Sequence, residues 1–173
     1  AALAGSPHLW EDYELGEKID HVDGMTIEEA EHMMATRLYQ NTAKVHFNQH
    51  TEKDGRFGRR IIYGGHIISL GRALSFNGFA NAFKVAAVNG GRHVAPTFAG
   101  HTVYAWSEVL EKMELPGRND IGALRLRTVA TVGNPFLAWY SLPSCDLLHA
   151  HEAKAAHACF VRSSLSGIPY VIT

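Results

Sequence analysis

The apolar positions of this chain fall into two helical stretches and several strand-like runs, separated by polar segments marked with glycine. Residues 1–8 read as a lead-in, and Leu9 to Gly16 as a packed loop anchored by Trp10 and Tyr13. A short strand is expected over Lys18 to Val22. Thr26 and Glu29 have the spacing of a capping box, and Ile27, Ala30, Met34 and Leu38 recur at helical intervals. A helix is therefore predicted from Thr26 to about Tyr39. Gln40 to Arg60 is polar and irregular, with Gly55 and Gly58 as loop signals. A second helix is predicted to open at Gly64 or Gly65 and to run to about Phe79. Its Ile67, Ile68, Leu70, Ala73, Leu74 and Phe76 leave only a narrow polar stripe through Ser69 and Arg72, the pattern of a buried helix.

Strand-like runs follow. Phe83 to Val88 and Arg92 to Val94 flank an Asn89-Gly90-Gly91 turn signal, and Pro96 to Gly100 reads as a further turn. Thr102 to Leu115 and Ile121 to Val132 are joined by Pro116-Gly117 as a hairpin. In the second of these, Leu124 and Leu126 alternate with Arg125 and Arg127, as in a strand with one wet face. One nearly all-apolar helix followed by antiparallel strands predicts an α+β fold, a sheet wrapped around a central buried helix, over residues 8–133. This is the outline of a hotdog fold, although periodicity alone permits other α+β sheets. Residues 134–173 sustain no period, beyond one candidate strand at Cys159, Phe160 and Val161.

Composition narrows the function more than the fold. At 173 residues, 46% of them hydrophobic, the chain suits one domain with one core. A formal net charge of −1 gives no footprint for nucleic acid or an anionic membrane, so any anionic ligand must be held by a local basic site. No apolar run reaches the roughly 18 residues of a membrane span, and no basic-then-apolar leader is visible. The chain begins without Met, as a processed chain or a piece of a longer one would. Cys145 and Cys159 are expected to be reduced thiols in a cytoplasmic protein. His149, His151 and His157 with these cysteines fit no standard zinc spacing, and neither metal nor cofactor is expected. Phosphate-loop and dinucleotide patterns are absent.

The sharpest constellation is Asn41-Thr-Ala-Lys-Val-His46, followed by Ile61-Ile-Tyr-Gly64-Gly65-His66 at the start of the second helix. A loop histidine can take and return a proton near neutral pH. Backbone amides at a Gly-rich helix N-terminus lack intrahelical partners and can stabilise a developing oxyanion. The pattern resembles the MaoC-type hydratase motif, in which an Asp precedes the catalytic His by five residues and a Gly opens the central helix 18 residues after it. His46 and Gly64 keep that spacing, while Asn41 stands in the Asp position. The run Arg92-His-Val-Ala-Pro96-Thr-Phe-Ala-Gly100-His101 resembles the family's Pro-containing loop, with His101 in place of its Asp. Leu38 to Asn48, Ala73 to Gly78, Asn89 to His93 and Tyr104 to Ser107 are similar to one branch of that family, the C-terminal half of mesaconyl-CoA hydratases (β-methylmalyl-CoA dehydratases).

The resemblance implies a cofactor-free hydro-lyase acting on an α,β-unsaturated acyl-CoA thioester. It also implies a homodimer, or pairing with a second hotdog half. His46 would be the acid/base and Asn41 a positioning residue, since an amide cannot serve as a base. Glu52 or Asp54 could supply the missing carboxylate. Gly64 and Gly65 would supply oxyanion donors, and Tyr63 would contact substrate. Arg59 and Arg60, with Arg56, could hold coenzyme A phosphates, or form a solvated loop. His66 is expected to be a hydrogen-bonded core residue. The region after Gly133 does not resemble the family's closing strand; a shifted reading frame and a divergent end would both account for that. Two other functions remain open. A hotdog thioesterase would want a carboxylate on the central helix, and none occurs from Gly64 to Phe79. A non-catalytic acyl-CoA-binding or structural half would explain Asn41.

Overall fold

The computed structural model describes residues 6–133 and 156–161. The elements are β1 (Lys18–Thr26), α1 (Glu29–Leu38), a 3₁₀ turn (Lys44–His46), α2 (Gln49–Glu52), α3 (Gly64–Leu74) and α4 (Phe76–Phe79). They are followed by β2 (Val88–His93), β3 (Thr102–Glu114), β4 (Gly122–Val132) and β5 (Ala156–Val161). The five strands form one antiparallel sheet in the order β1-β3-β4-β5-β2. Ile67 and Leu74 of α3 pack with Val103 and Ala105 of β3, Ala130 of β4, and Ile27 and Ile62 from the flanking loops. Helix and sheet meet closely at the buried Gly71, where an added Cβ would lie 3.5 Å from the Ala130 Cβ. This is the expected α+β hotdog arrangement.

The β3–β4 hairpin follows the sequence reading, with Val103 opposite Val132 and Glu114 opposite Gly122. Gly117 sits at φ 74° in the turn, where the Arg118 N–H donates to Leu115 O at 3.0 Å. The arginines of β4 depart from the expected wet face. Arg127 is only 8% exposed and pairs with Glu108 directly across the ladder; Arg125 pairs with Glu111. Opposite charges in register hold both side chains down on the sheet.

The first helix starts later than its capping signal predicts. Thr26 belongs to β1, where its hydroxyl bonds that of Thr102 at 2.8 Å. The helix opens at Glu29, with the Glu31 carboxylate accepting the Glu28 N–H at 3.1 Å. Its buried face is His32, Ala35 and Thr36, whereas Met34 and Leu38 are 62% and 71% exposed.

The central helix ends at Leu74, not near Phe79. Asn77 (ψ 78°) and Gly78 (φ 138°) leave helical geometry. The Asn77 amide donates to His21 O at 3.1 Å and to Asp23 at 2.8 Å, and the Tyr13 hydroxyl donates to Gly78 O at 2.6 Å. This break drops Phe79 onto Tyr13, with ring centroids 5.3 Å apart. The outer side of α3 and α4 is also open: Ser69 and Ala73 of α3 and Phe76 of α4 are exposed in the single chain. Gly78→Ala should lower stability by at least about 1–3 kcal/mol, since its φ is costly for a residue with a Cβ. That Cβ would also lie 2.7 Å from Ile19 Cγ2. The urea midpoint of the variant measures the loss.

The two expected runs around Asn89-Gly90-Gly91 are one strand, β2, running through the glycines; residues 83–87 are not strand. The glycines are extended because β5 pairs with them, Gly90 opposite Phe160 and Gly91 opposite Cys159. The expected strand at Cys159 to Val161 is thus β5, set between β4 and β2. Cys145, His149 and His151 lie outside the described residues. No helix among the described residues is long and apolar enough to cross a membrane.

Candidate active site

Three residues beyond α1, the Asn41 N–H donates to Thr36 O at 3.0 Å. The Asn41 side-chain oxygen then accepts the Ala43 N–H at 2.8 Å, an Asx turn that leads into the 3₁₀ turn carrying His46. The His46 Nδ1 lies 3.0 Å from Ile61 O. A carbonyl can only accept, so Nδ1 carries the proton and Nε2 keeps its lone pair. The imidazole is therefore held by Ile61, while Asn41 shapes the loop before it and makes no hydrogen bond to His46 among the described contacts.

Ile61 and Ile62 lead to the helix. The Ile62 N–H donates to Thr97 O at 2.8 Å, and Tyr63 is the extended N-cap of α3. Gly64 and Gly65 form its first turn, where amides have no intrahelical acceptor. Both glycines sit in crowded positions. A Cβ on Gly64 would lie 2.4 Å from His93 Nε2, and one on Gly65 would lie 2.6 Å from the Tyr63 ring. His46 packs edge-on to Tyr63, with centroids 5.8 Å apart. These groups line one open cleft of about 610 Å³ with Phe57, Ile68 and the Val94–Thr97 loop.

The other expected residues are placed differently. Arg60 is held by the fold: its guanidinium donates to Glu29 at 2.7 Å, to Met33 Sδ at 2.9 Å and to Phe47 O at 3.4 Å. Arg59 is exposed, its guanidinium 4.0 Å from the centre of the Phe98 ring, and Arg56 lies over Phe57 at 5.1 Å. Glu52 and Asp54 do not line the cleft. His66 bonds Glu31 at 3.3 Å, as a packed polar residue should. His101 stacks edge-on against Phe98, and burial, then Arg59, push its pKa down. No group of three or more His, Cys, Asp or Glu among the described residues could hold a metal.

Two histidines were missed in the sequence. His93 ends β2 and lines the cleft together with His46. His32 is fully buried, and its Nε2 accepts the Tyr63 N–H at 3.0 Å, which fixes the residue before the glycines. Burial, followed by the charges of His46, His66 and Arg60, lowers the His32 pKa to about 4. The unfolded chain takes up a proton near 6.5 while the fold resists it down to about 4. Stability is thus fully present above 6.5 and falls as pH drops between these values, by about 3 kcal/mol in all. Urea midpoints at pH 7.5 and pH 4.5 check this; His32→Gln should flatten the difference.

A central helix with a Gly-Gly N-terminus lies on an antiparallel sheet beside a loop histidine, and this hotdog fold is similar to that of MaoC-like dehydratases. The chain is 74% identical over 134 residues to β-methylmalyl-CoA dehydratase of Chloroflexus aurantiacus, a match covering 78% of this chain and 38% of that protein. It is 65% identical over 130 residues to mesaconyl-CoA hydratase of Cereibacter sphaeroides, covering 74% of this chain and 36% of that protein. The chain therefore spans less than half the length of these relatives. The crystal structure of a MaoC domain protein dehydratase from Chloroflexus aurantiacus superposes with a TM-score of 0.75 at 58% identity, covering 94% of this chain and 47% of that one. A MaoC-like dehydratase from Rhodospirillum rubrum shares the fold at 15% identity, with a TM-score of 0.64 over 91% of this chain and 99% of that one. No protein-family model matches the sequence.

Proposed function

We propose that this domain adds water to, or removes it from, an α,β-unsaturated acyl-CoA thioester, with mesaconyl-CoA and β-methylmalyl-CoA as the reacting pair. The observation that carries the proposal is the placement of His46 and the Gly64-Gly65 amides on one cleft. The identity to enzymes named for those two thioesters supports it. His46 Nε2 takes a proton from water as the water oxygen bonds the β-carbon. The π electrons move toward the thioester oxygen, where the Gly64 and Gly65 N–H groups stabilise the enolate. His46 returns its proton to the α-carbon, restoring the carbonyl and the neutral imidazole. Asn41 sets the loop that presents His46, and Tyr63 forms a wall against the acyl group. Exposed Arg59 would meet coenzyme A phosphates, whereas Arg60 supports the loop from within.

Loss of the ultraviolet absorbance of the conjugated thioester tests the reaction. Release of free thiol without hydration would point to a thioesterase, and saturable binding without turnover to a non-catalytic half. We place the domain in the cytoplasm and in a pair with a second hotdog half, either a second copy or another segment. Exposed Met34, Leu38 and Phe76 are the support for pairing. Light scattering should give twice the mass of the 19.0 kDa chain; a stable monomer would contradict self-pairing.

A further inference from the structure

His93 is the one described residue of the cleft wall, besides His46, that carries an imidazole. No Asp or Glu lines the cleft with them. The His93 Nε2 edge rests on Gly64, close enough that a Cβ there would displace the ring. It therefore stands directly beside the first of the residues whose amides are assigned to the thioester oxygen, in the cleft that His46 also lines. An acid-free cleft with two imidazoles and the positive end of an 11-residue helix favours a ligand that carries negative charge next to its thioester. Mesaconic and methylmalic acids are dicarboxylic, so their mono-thioesters bear a free carboxylate a few bonds from the thioester carbon.

Resting on the hydratase reading above, we infer that His93 is a specificity-determining residue that binds the free carboxylate of a dicarboxylyl thioester. Partial burial, then the charge of His46, push its pKa below the ordinary value. The neutral ring still donates an N–H to the carboxylate, and the bound anion favours the imidazolium. Binding of the dicarboxylyl substrate thus takes up a proton, and its KM rises at alkaline pH. A substrate without the carboxylate lacks this dependence.

The test is kcat/KM for mesaconyl-CoA and for crotonyl-CoA, which lacks the carboxylate, across pH in wild type, His93→Phe and His93→Arg. In His93→Phe the mesaconyl-to-crotonyl ratio should fall by about ten- to hundredfold, the effect of one hydrogen bond to a charged group. His93→Arg should restore most of the ratio and shift the alkaline rise in KM to higher pH. An unchanged ratio in both variants, or wild-type preference for crotonyl-CoA, would overturn the assignment while leaving the hydratase reading intact. Wild type that hydrates neither thioester would remove that reading, and this one with it.

Discussion

His46→Ala should reduce turnover of the unsaturated thioester by about 10²–10⁴-fold, the range a positioned acid/base supplies. Ile61 fixes Nδ1 as the protonated nitrogen, so only Nε2 can accept a proton from water. An alanine there leaves neither base nor return donor, and Glu52 and Asp54 lie outside the cleft. Binding should change far less than turnover, because the wall residues and the α3 amides remain. The ultraviolet assay gives kcat, and calorimetry with a slow-reacting acyl-CoA gives affinity. Retained kcat in a folded His46→Ala protein would remove His46 from the chemistry.

The second large effect separates an amide donor from the space around it. Gly64→Ala and Gly64→Pro both place a Cβ where His93 Nε2 now lies, so both move that ring. Only proline also removes the N–H. Proline suits the first helical position, and Tyr63, at φ −60° and ψ 126°, has the extended geometry favoured before it. Gly64→Pro should therefore fold, and its kcat should fall about 10²–10³-fold below that of Gly64→Ala if the amide stabilises the enolate. Equal rates for the two variants would assign the loss to His93 displacement alone.

The parts legible in the sequence share one cause: local pattern and tertiary structure agree. Alternation on β4, with Pro116-Gly117 before it, marked the hairpin, and Gly64-Gly65 after Ile61-Ile62 marked the start of the central helix. Misreadings occurred where a polar residue is satisfied by a distant partner. His32 is buried because its ring accepts the Tyr63 N–H, so the inward face of α1 carries a histidine while Met34 faces out. Arg127 lies down because Glu108 is opposite it. Asn77-Gly78 is a turn signal hidden between Phe76 and Phe79, and the apolar rhythm carried the helix past it. Gly90-Gly91 looked like a turn because its partner, β5, is remote in sequence. His93 went unassigned for a similar reason: only the fold lays it on Gly64. The motif thus located the cleft, while pairing across the sheet supplied its second imidazole.

Conversion of mesaconyl-CoA by the purified chain in H₂¹⁸O, followed by mass spectrometry of the product, tests the central claim most directly. Hydration at the cleft of His46, Gly64 and Gly65 predicts one ¹⁸O atom in an intact hydroxyacyl-CoA, with incorporation abolished in His46→Ala. Label found in a free carboxylate beside released coenzyme A, or no label from folded wild-type protein, would contradict it.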